Sequence, residues 1–355
     1  MKRSRRLERL AFAVAALALS ACAALPWPSG PTRGTGLLAS GDWIDLRGVV
    51  HVHTRVSHDS QGSIGEVVDA ARGAGIAWVA FTEHTRHAAL APARGVVEGV
   101  IFIPGWEIAL LDGSLLALGV ADPVDLPREP HALVEAIHAQ GGAAFVGHLE
   151  RSGLADPSEF RAAAPDGIEL ANLHANADEV RVRLALGELF LPAPLALRAL
   201  LRTPSENLER WARLPTARAI VGGVDAHAKF RALGALGGTL DRYRDLFRLL
   251  TTHVRVRERT APAILEALRA GRSYVAFEGL AAVERFEVSR EAEGSNVRVR
   301  VRAPRSARLA LVCAGVVTSE AEAAEAVLDA PNDTHLCHVE AWLGDALWIA
   351  TSRLD

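Results

Sequence analysis

Two pairs of candidate donor residues bracket the part of this chain where chemistry is concentrated. His51-Val52-His53 opens it and Asp225-Ala226-His227 closes it. Of the chain's histidines, all but His253, His335 and His338 lie between these two points. On a strand, residues i and i+2 face the same side, so each pair can aim two donor groups into one pocket. Imidazole and carboxylate together suit zinc, manganese or iron. Between the pairs stand further candidates: Ser57-His58-Asp59, Thr82-Glu83-His84, Gly105-Trp106-Glu107, Gly147-His148 and Asn172-Leu173-His174. So many imidazoles and carboxylates buried together would be costly without charge compensation, which divalent cations supply.

These residues need a frame, and the hydrophobic pattern provides one. Continuous apolar runs at residues 46–52, 76–82, 100–103, 115–120, 143–146, 168–171 and 219–224 read as buried strands, and most end on one of the candidates. Residues 64–74, 131–140 and 264–270 read as helices, each stopped by a glycine. Repeated βα units of this kind predict a parallel sheet covered on both faces. An open doubly wound sheet would draw its site from two or three strands, whereas about six strand ends carry candidates here, which favours closure into a barrel. Residues 182–214 break the rhythm with two helical stretches around Pro192 and Pro194, an insertion beside the site. From residue 281 the pattern turns to period two, with strands expected at 285–289, 296–302, 308–312, 338–343 and 347–352, which predicts a small β-sandwich-like C-terminal domain. His335 and His338 in that region read as surface or packing residues.

The chain of 355 residues is half apolar, with a formal net charge of -3. That is room for one large α/β domain and a smaller one, and nothing in the charge predicts a nucleic-acid partner. Lys2, Arg3, Arg5 and Arg6 form a basic head before a short apolar stretch at 10–19, which reads as an export signal over residues 1–21. Leu19-Ser20-Ala21-Cys22 resembles a bacterial lipobox, which implies cleavage before Cys22 and lipid on that residue. A Pro/Gly-rich tether at 22–45 follows. The expected location is a lipid anchor in the outer membrane facing the periplasm. In such an oxidising compartment Cys313 and Cys337 are either a disulfide or two buried thiols.

Taken in order, the motifs around His51, His53, Asp59, His84, Glu107, His148, Asp225 and His227 resemble the PHP (polymerase and histidinol phosphatase) superfamily. Within it, the chain is most similar to bacterial metallohydrolases of the carbaryl-hydrolase type, over residues 46–280, with a β-rich tail at 281–355. The resemblance implies a distorted (β/α)7 barrel and a site of two divalent metals, or three, held by those eight residues. It implies hydrolysis of a phosphate ester by a metal-bridging hydroxide, with Asp225 and His227 as proton-transfer groups and a small-molecule phosphate ester as substrate. His58 stands next to Asp59 and competes with it for the same role. Glu83 stands where relatives carry Asp. Ser114, after Asp112, stands where many relatives carry another histidine ligand, which leaves the third metal open. Arg55 and Arg86 follow ligand motifs and are candidate phosphate contacts, and His174 is a candidate substrate contact. Lys229 reads as solvent-facing. Amidohydrolases also open on HxH, but many bridge their metals with a carboxylated mid-barrel lysine, and no lysine lies between Lys2 and Lys229. Two other readings remain: carbamate or ester hydrolysis on the same site, and a non-catalytic lipoprotein that binds metal or ligand.

Overall fold

The computed structural model describes residues 43–84, 92–110, 113–122, 129–149, 163–180, 182–184, 193–230, 239–293 and 296–354. Cys22, Arg86, Asp112 and residues 185–192 of the insertion lie outside them.

The first strand, β1 (Ile44–Val52), runs into the opening histidine pair. Helix α1 (Ile64–Ala74) follows and occupies its expected span. Ser63 and Glu66 cap its first turn reciprocally, Gly75 ends it at φ 69°, and Val67, Val68, Ala71 and Ala74 form its buried stripe. Next come β2 (Trp78–Phe81), β3 (Glu83–His84), β4 (Gly95–Val97), β5 (Val100–Ile103), β6 (Gly105–Leu110) and β7 (Gly113–Leu118). Helix α2 (Pro130–Ala139) leads to β8 (Ala143–Gly147), and β9 (Gly167–Asn172) leads to α3 (Leu173–Glu179). Helix α4 (Ser205–Ala212) precedes β10 (Ala219–Ala226).

The result is a mixed parallel and antiparallel sheet with flanking helices. β1 lies between β2 and β10, parallel to both. β2 pairs with β5, β3 with β6, β8 with β9 and β9 with β10, all parallel. β7 pairs antiparallel with both β6 and β8. From β1 the pairings run one way through β2 to β5 and the other way through β10, β9, β8, β7 and β6 to β3, and the two runs meet only through the chain itself, since β3 follows β2 after Thr82 and β6 follows β5 after Pro104. The expectation of a parallel sheet fails at β7 for a simple reason. Only residues 111–112 separate β6 from β7, and a parallel crossover needs a dozen or more.

Alternate residues of the strands feed two apolar layers. One layer joins Val49, Val79, Phe102 and Ala117 to the buried faces of α1 and α2. The other joins Val50, Ala80, Ile103, Leu118, Phe145 and Val221 to Ile264, Leu265, Ala267 and Leu268. Those last four belong to α6 (Ala261–Arg269), which follows the short helix α5 (Tyr243–Leu246) and the strand β11 (Thr251–Val256). β11 runs antiparallel against the first half of β1, so α6 packs on the opposite set of strand faces from α1 and α2.

β12 (Ser273–Ala276) connects this sheet to the C-terminal strands through β17 (Ala346–Thr351). The others are β13 (Glu287–Glu293), β14 (Asn296–Cys313), β15 (Val316–Ala330) and β16 (Cys337–Leu343), all antiparallel. Two expectations change here. Residues 296–302 and 308–312 form one strand of 18 residues, with the register slipping between Arg302 and Ala307. β15 was not expected at all, because its Ala/Glu-rich run has helical rather than strand propensity; pairing along β14 overrides that preference. Cys313 and Cys337 are register partners on β14 and β16 and form a disulfide. His338 is buried, with its Nε2 2.9 Å from Glu340 Oε1.

A buried polar knot ties β1, β11 and β12 together. His253 Nδ1 donates to Asp45 at 2.9 Å, Tyr274 Oη donates to Asp45 at 2.6 Å, and Thr251 Oγ1 donates to Glu278 at 2.8 Å. Arg47 completes it with a two-pronged contact to Glu278. Burial alone would lower the pKa of His253, but Asp45 and Glu278 outweigh it and push it up to about 9 from 6.5. A pKa raised in the folded state contributes stability that is full below about pH 6.5 and is lost as pH rises through about 9. The urea midpoint is therefore expected to fall between pH 6.5 and 9.5, and His253→Gln should flatten that slope. An unchanged slope in the variant would remove His253 as its source.

Candidate metal centre

The first pair converges, though not by strand alternation. His51 lies in the left-handed region at φ 66°, and the register of β1 slips between Val50 and Val52 against both of its neighbours. This is a bulge, which re-aims the chain at the strand end. His53 follows just past the strand, and the two rings stand 5.1 Å apart. His148 (φ 48°) and Asp225 (φ 46°) share the left-handed conformation. Non-glycine residues rarely adopt it, and where they do the strain tends to sit at functional sites.

Neighbouring strand ends supply the rest. β3 lies against β6 with His84 opposite Glu107. Glu107 Oε2 is 3.3 Å from His51 Nε2, 3.6 Å from His53 Nε2 and 3.6 Å from His84 Nδ1. Its other oxygen is 3.2 Å from His148 Nε2. Asp225 Oδ1 is 3.5 Å from His51 Nε2, 3.4 Å from His53 Nε2 and 3.4 Å from His227 Nδ1, and Oδ2 is 3.5 Å from His148 Nε2. Asp59 Oδ2 lies 3.2 Å from His227 Nε2 and 3.5 Å from His84 Nε2. The structure thus brings all eight candidate ligands together. Three overlapping sets, His51–His53–Glu107, His51–His148–Asp225 and His53–His84–His227, each bring their donor atoms within 4.8 Å of one another.

The electrostatics match a cation site. Burial would raise the carboxyls of Glu107 and Asp225, but the surrounding histidines hold both well below the usual range. Burial would lower His51, but Glu169, Asp225 and Glu107 outweigh it and raise it. His53 is pushed down to about 3 by burial and by His227, so it stays neutral with a free lone pair. His53 Nε2, Asp59 Oδ1 and Asp225 Oδ1 are buried and make no hydrogen bond. Orphaned donor atoms of this kind need a partner, and a divalent cation bound by His and carboxylate groups fits them.

Around the cluster stand residues that orient it. Glu169 is fully buried; it accepts from His51 Nδ1 at 2.6 Å, from the His148 backbone N–H at 2.8 Å and from Asn172 Nδ2 at 3.2 Å. A carboxylate behind a ligating histidine fixes its tautomer and ring orientation. The sequence reading missed Glu169, although a lone carboxylate inside the apolar run 168–171 was the available signal. Glu83 turns to the adjacent loop, accepting from the Thr54 backbone N–H, from Thr54 Oγ1 at 2.6 Å and from Ser57 Oγ at 2.6 Å. Tyr243 Oη donates to the His53 carbonyl at 2.6 Å. Gly223 lies against Glu169: a Cβ there would stand 1.7 Å from Glu169 Oε1. Gly223→Ala is expected to displace Glu169, lowering both the thermal midpoint and the metal content; an unchanged metal content would rule out that coupling.

The remaining sequence candidates fall as follows. Lys229, expected to face solvent, instead reaches Asp59 Oδ2 at 3.2 Å and is only partly exposed. Asp59 contacts His84 and His227, whereas the ring of His58 stands 5.4 Å from that of His84 and its side chain is exposed. Arg55 is exposed, with Nε donating to the Gln61 carbonyl at 3.0 Å. Ser114 is buried opposite Gly147, with no partner for its hydroxyl. His174 is half-buried beside the cluster, its ring 5.3 Å from that of His227. It forms a fourth set with His227 and Asp241, but both Asp241 oxygens already accept backbone N–H groups, from His227 and Phe230.

No family model matches the chain, and no curated protein does. Among solved structures, a two-domain protein from Bacteroides vulgatus containing a predicted PHP-like metal-dependent phosphoesterase is similar over 88% of this chain and 96% of that one. The identity is 14% and the TM-score 0.44.

Proposed function

We propose that the chain is a metal-dependent hydrolase acting on small phosphate esters. Its frame is read as a distorted (β/α)7 barrel of the PHP kind over 46–280, with a β-rich unit at 281–355. The observation that carries the reading is the convergence of His51, His53, Asp59, His84, Glu107, His148, Asp225 and His227 with orphaned donor atoms among them. We assign these eight as the ligands of two divalent ions, zinc, manganese or iron by donor type. Bound there, such ions supply Lewis-acid activation of a substrate oxygen and of water.

The chain's own residues have separable tasks. Glu107 presents its two oxygens to different histidines, which suits a carboxylate shared between two ions. Glu169 holds the ring of His51, and Glu83 holds the loop that carries Asp59. His227 and Asp225 are assigned to proton movement at the edge of the cluster. His174, beside His227, is assigned to substrate contact. Export and a lipid anchor on Cys22 belong to the same proposal.

The test is a substrate panel run on protein of measured metal content. Bis- and mono-p-nitrophenyl phosphate and a p-nitrophenyl carbamate are compared after chelation and after reconstitution with Mn²⁺, Zn²⁺ or Fe²⁺. Expected is phosphoester turnover that chelation abolishes and a metal restores. Fewer than about one metal per chain after reconstitution would sink the two-metal assignment. Carbamate turnover without phosphoester turnover would reassign the substrate.

A further inference from the structure

A second polar site lies away from the cluster. A cleft of about 310 Å³ opens where the start of β12 and the end of β11 meet the C-terminal strands. Its lining includes Trp43, Arg255, Arg272, Arg290, Arg353, Phe286 and Val288, and it contains no aspartate or glutamate. β11 meets the beginning of β1, with Val256 opposite Ile44, so the cleft sits at the end of β1 opposite His51 and His53.

Its arginines are not equivalent. The guanidinium of Arg353 is consumed by the carbonyls of Leu214, Pro215 and Trp211. Arg255 is half-buried and gives one long hydrogen bond, 3.3 Å, to the Val288 carbonyl. No carboxylate pairs with it among the described residues. Arg272 pairs with Glu266 through one terminal nitrogen, but its Nε is buried and makes no hydrogen bond. The guanidinium of Arg272 also rests over the Trp43 ring, 5.4 Å from its centre, and that of Arg257 lies over the same ring at 4.9 Å. Arg255 and Arg272 stand side by side, the first half-buried with no ion pair among the described residues and the second with an unused N–H, in a cleft whose own lining holds no acid, and this arrangement favours an anionic partner. Guanidinium groups meet tetrahedral or planar oxyanions by paired hydrogen bonds. Phe286 and Val288 offer an apolar wall beside them.

We propose that this cleft is an anion site for an organic phosphate, with the phosphate oxygens on the guanidinium groups of Arg255 and Arg272 and the organic part against Phe286 and Val288. The site is independent of the metal cluster and of the function assigned to it. A free phosphomonoester and an anionic phospholipid headgroup share this chemistry.

The experiment uses the full chain, chelated so that the metal cluster does not bind the probe. Phenylphosphonate, which has no hydrolysable ester bond, is titrated by calorimetry. In parallel, sedimentation with phosphatidylglycerol/phosphatidylcholine vesicles is compared with pure phosphatidylcholine vesicles. Arg255→Gln and Arg272→Gln are measured separately, with the thermal midpoint as the folding control. The basic N-terminal residues are common to all samples and cancel in the comparison. Phenylphosphonate binding that weakens tenfold or more in each variant supports the site and identifies a free ligand. A preference for phosphatidylglycerol that both variants lose, without phenylphosphonate binding, supports it and identifies a headgroup. Binding of neither probe, or binding that both folded variants retain, overturns it. If one variant fails to fold, the other decides.

Discussion

The Glu107→Gln chain is expected to lose both its metal and its turnover. Among the described residues, Glu107 is the one carboxylate that faces His51, His53, His84 and His148 together, with both oxygens in use. The amide keeps the shape but removes the negative charge and replaces one acceptor oxygen with a donor nitrogen. That nitrogen would then face ring nitrogens that must stay free for a cation. The loss should exceed the 10–100-fold effect typical of a residue that only supports a ligand. Metal analysis and p-nitrophenyl phosphate turnover with added Mn²⁺ are the measurements. A variant that retains two metals and full turnover would show that the cluster has been misassigned.

Glu169→Gln carries the second-largest expected effect, and of a different kind. Glu169 touches the cluster only through His51 and the His148 backbone. Its three acceptor contacts lie in a fully buried pocket, so an amide leaves at least one buried donor facing another donor. The stability cost is about 1–3 kcal/mol. Metal affinity should fall about 10–100-fold, because the ring of His51 loses both its fixed tautomer and its added basicity. Turnover at saturating metal should recover much of the wild-type rate, which Glu107→Gln cannot do. A metal titration followed by turnover separates the two: a shifted midpoint with a preserved plateau is expected for Glu169→Gln. An unshifted midpoint would make Glu169 a purely structural residue.

The sequence made most of the candidate ligands legible because they sit where an apolar strand gives way to polar residues, a local pattern; Asp59, in the turn after β1, was singled out as a ligand only through the family resemblance. That the strand ends lie close together was legible for the same reason: candidates at many strand ends require those ends to meet. The reasons behind the convergence were not all local. His51 reaches the cluster through a left-handed bulge that no residue type signals. Glu169 lay hidden inside an apolar run, and its partner His51 is far away in sequence. Lys229 looked like a surface residue because Asp59 is equally remote. The reversed strand β7 and the long strand β15 were missed for opposite reasons. β7 was masked by apolar runs that read alike in either direction, and β15 by a composition that favours helix.

The course of β1 gives the molecule a direction. The described chain enters at Trp43, beside the arginine-lined cleft, and delivers His51 and His53 at the far end of the same strand. At about 3.3 Å per residue, that is roughly 25 Å between Trp43 and the first candidate metal donors. The arginine-lined cleft and the donor cluster therefore stand at opposite ends of one strand, so a molecule held in the first leaves the second open.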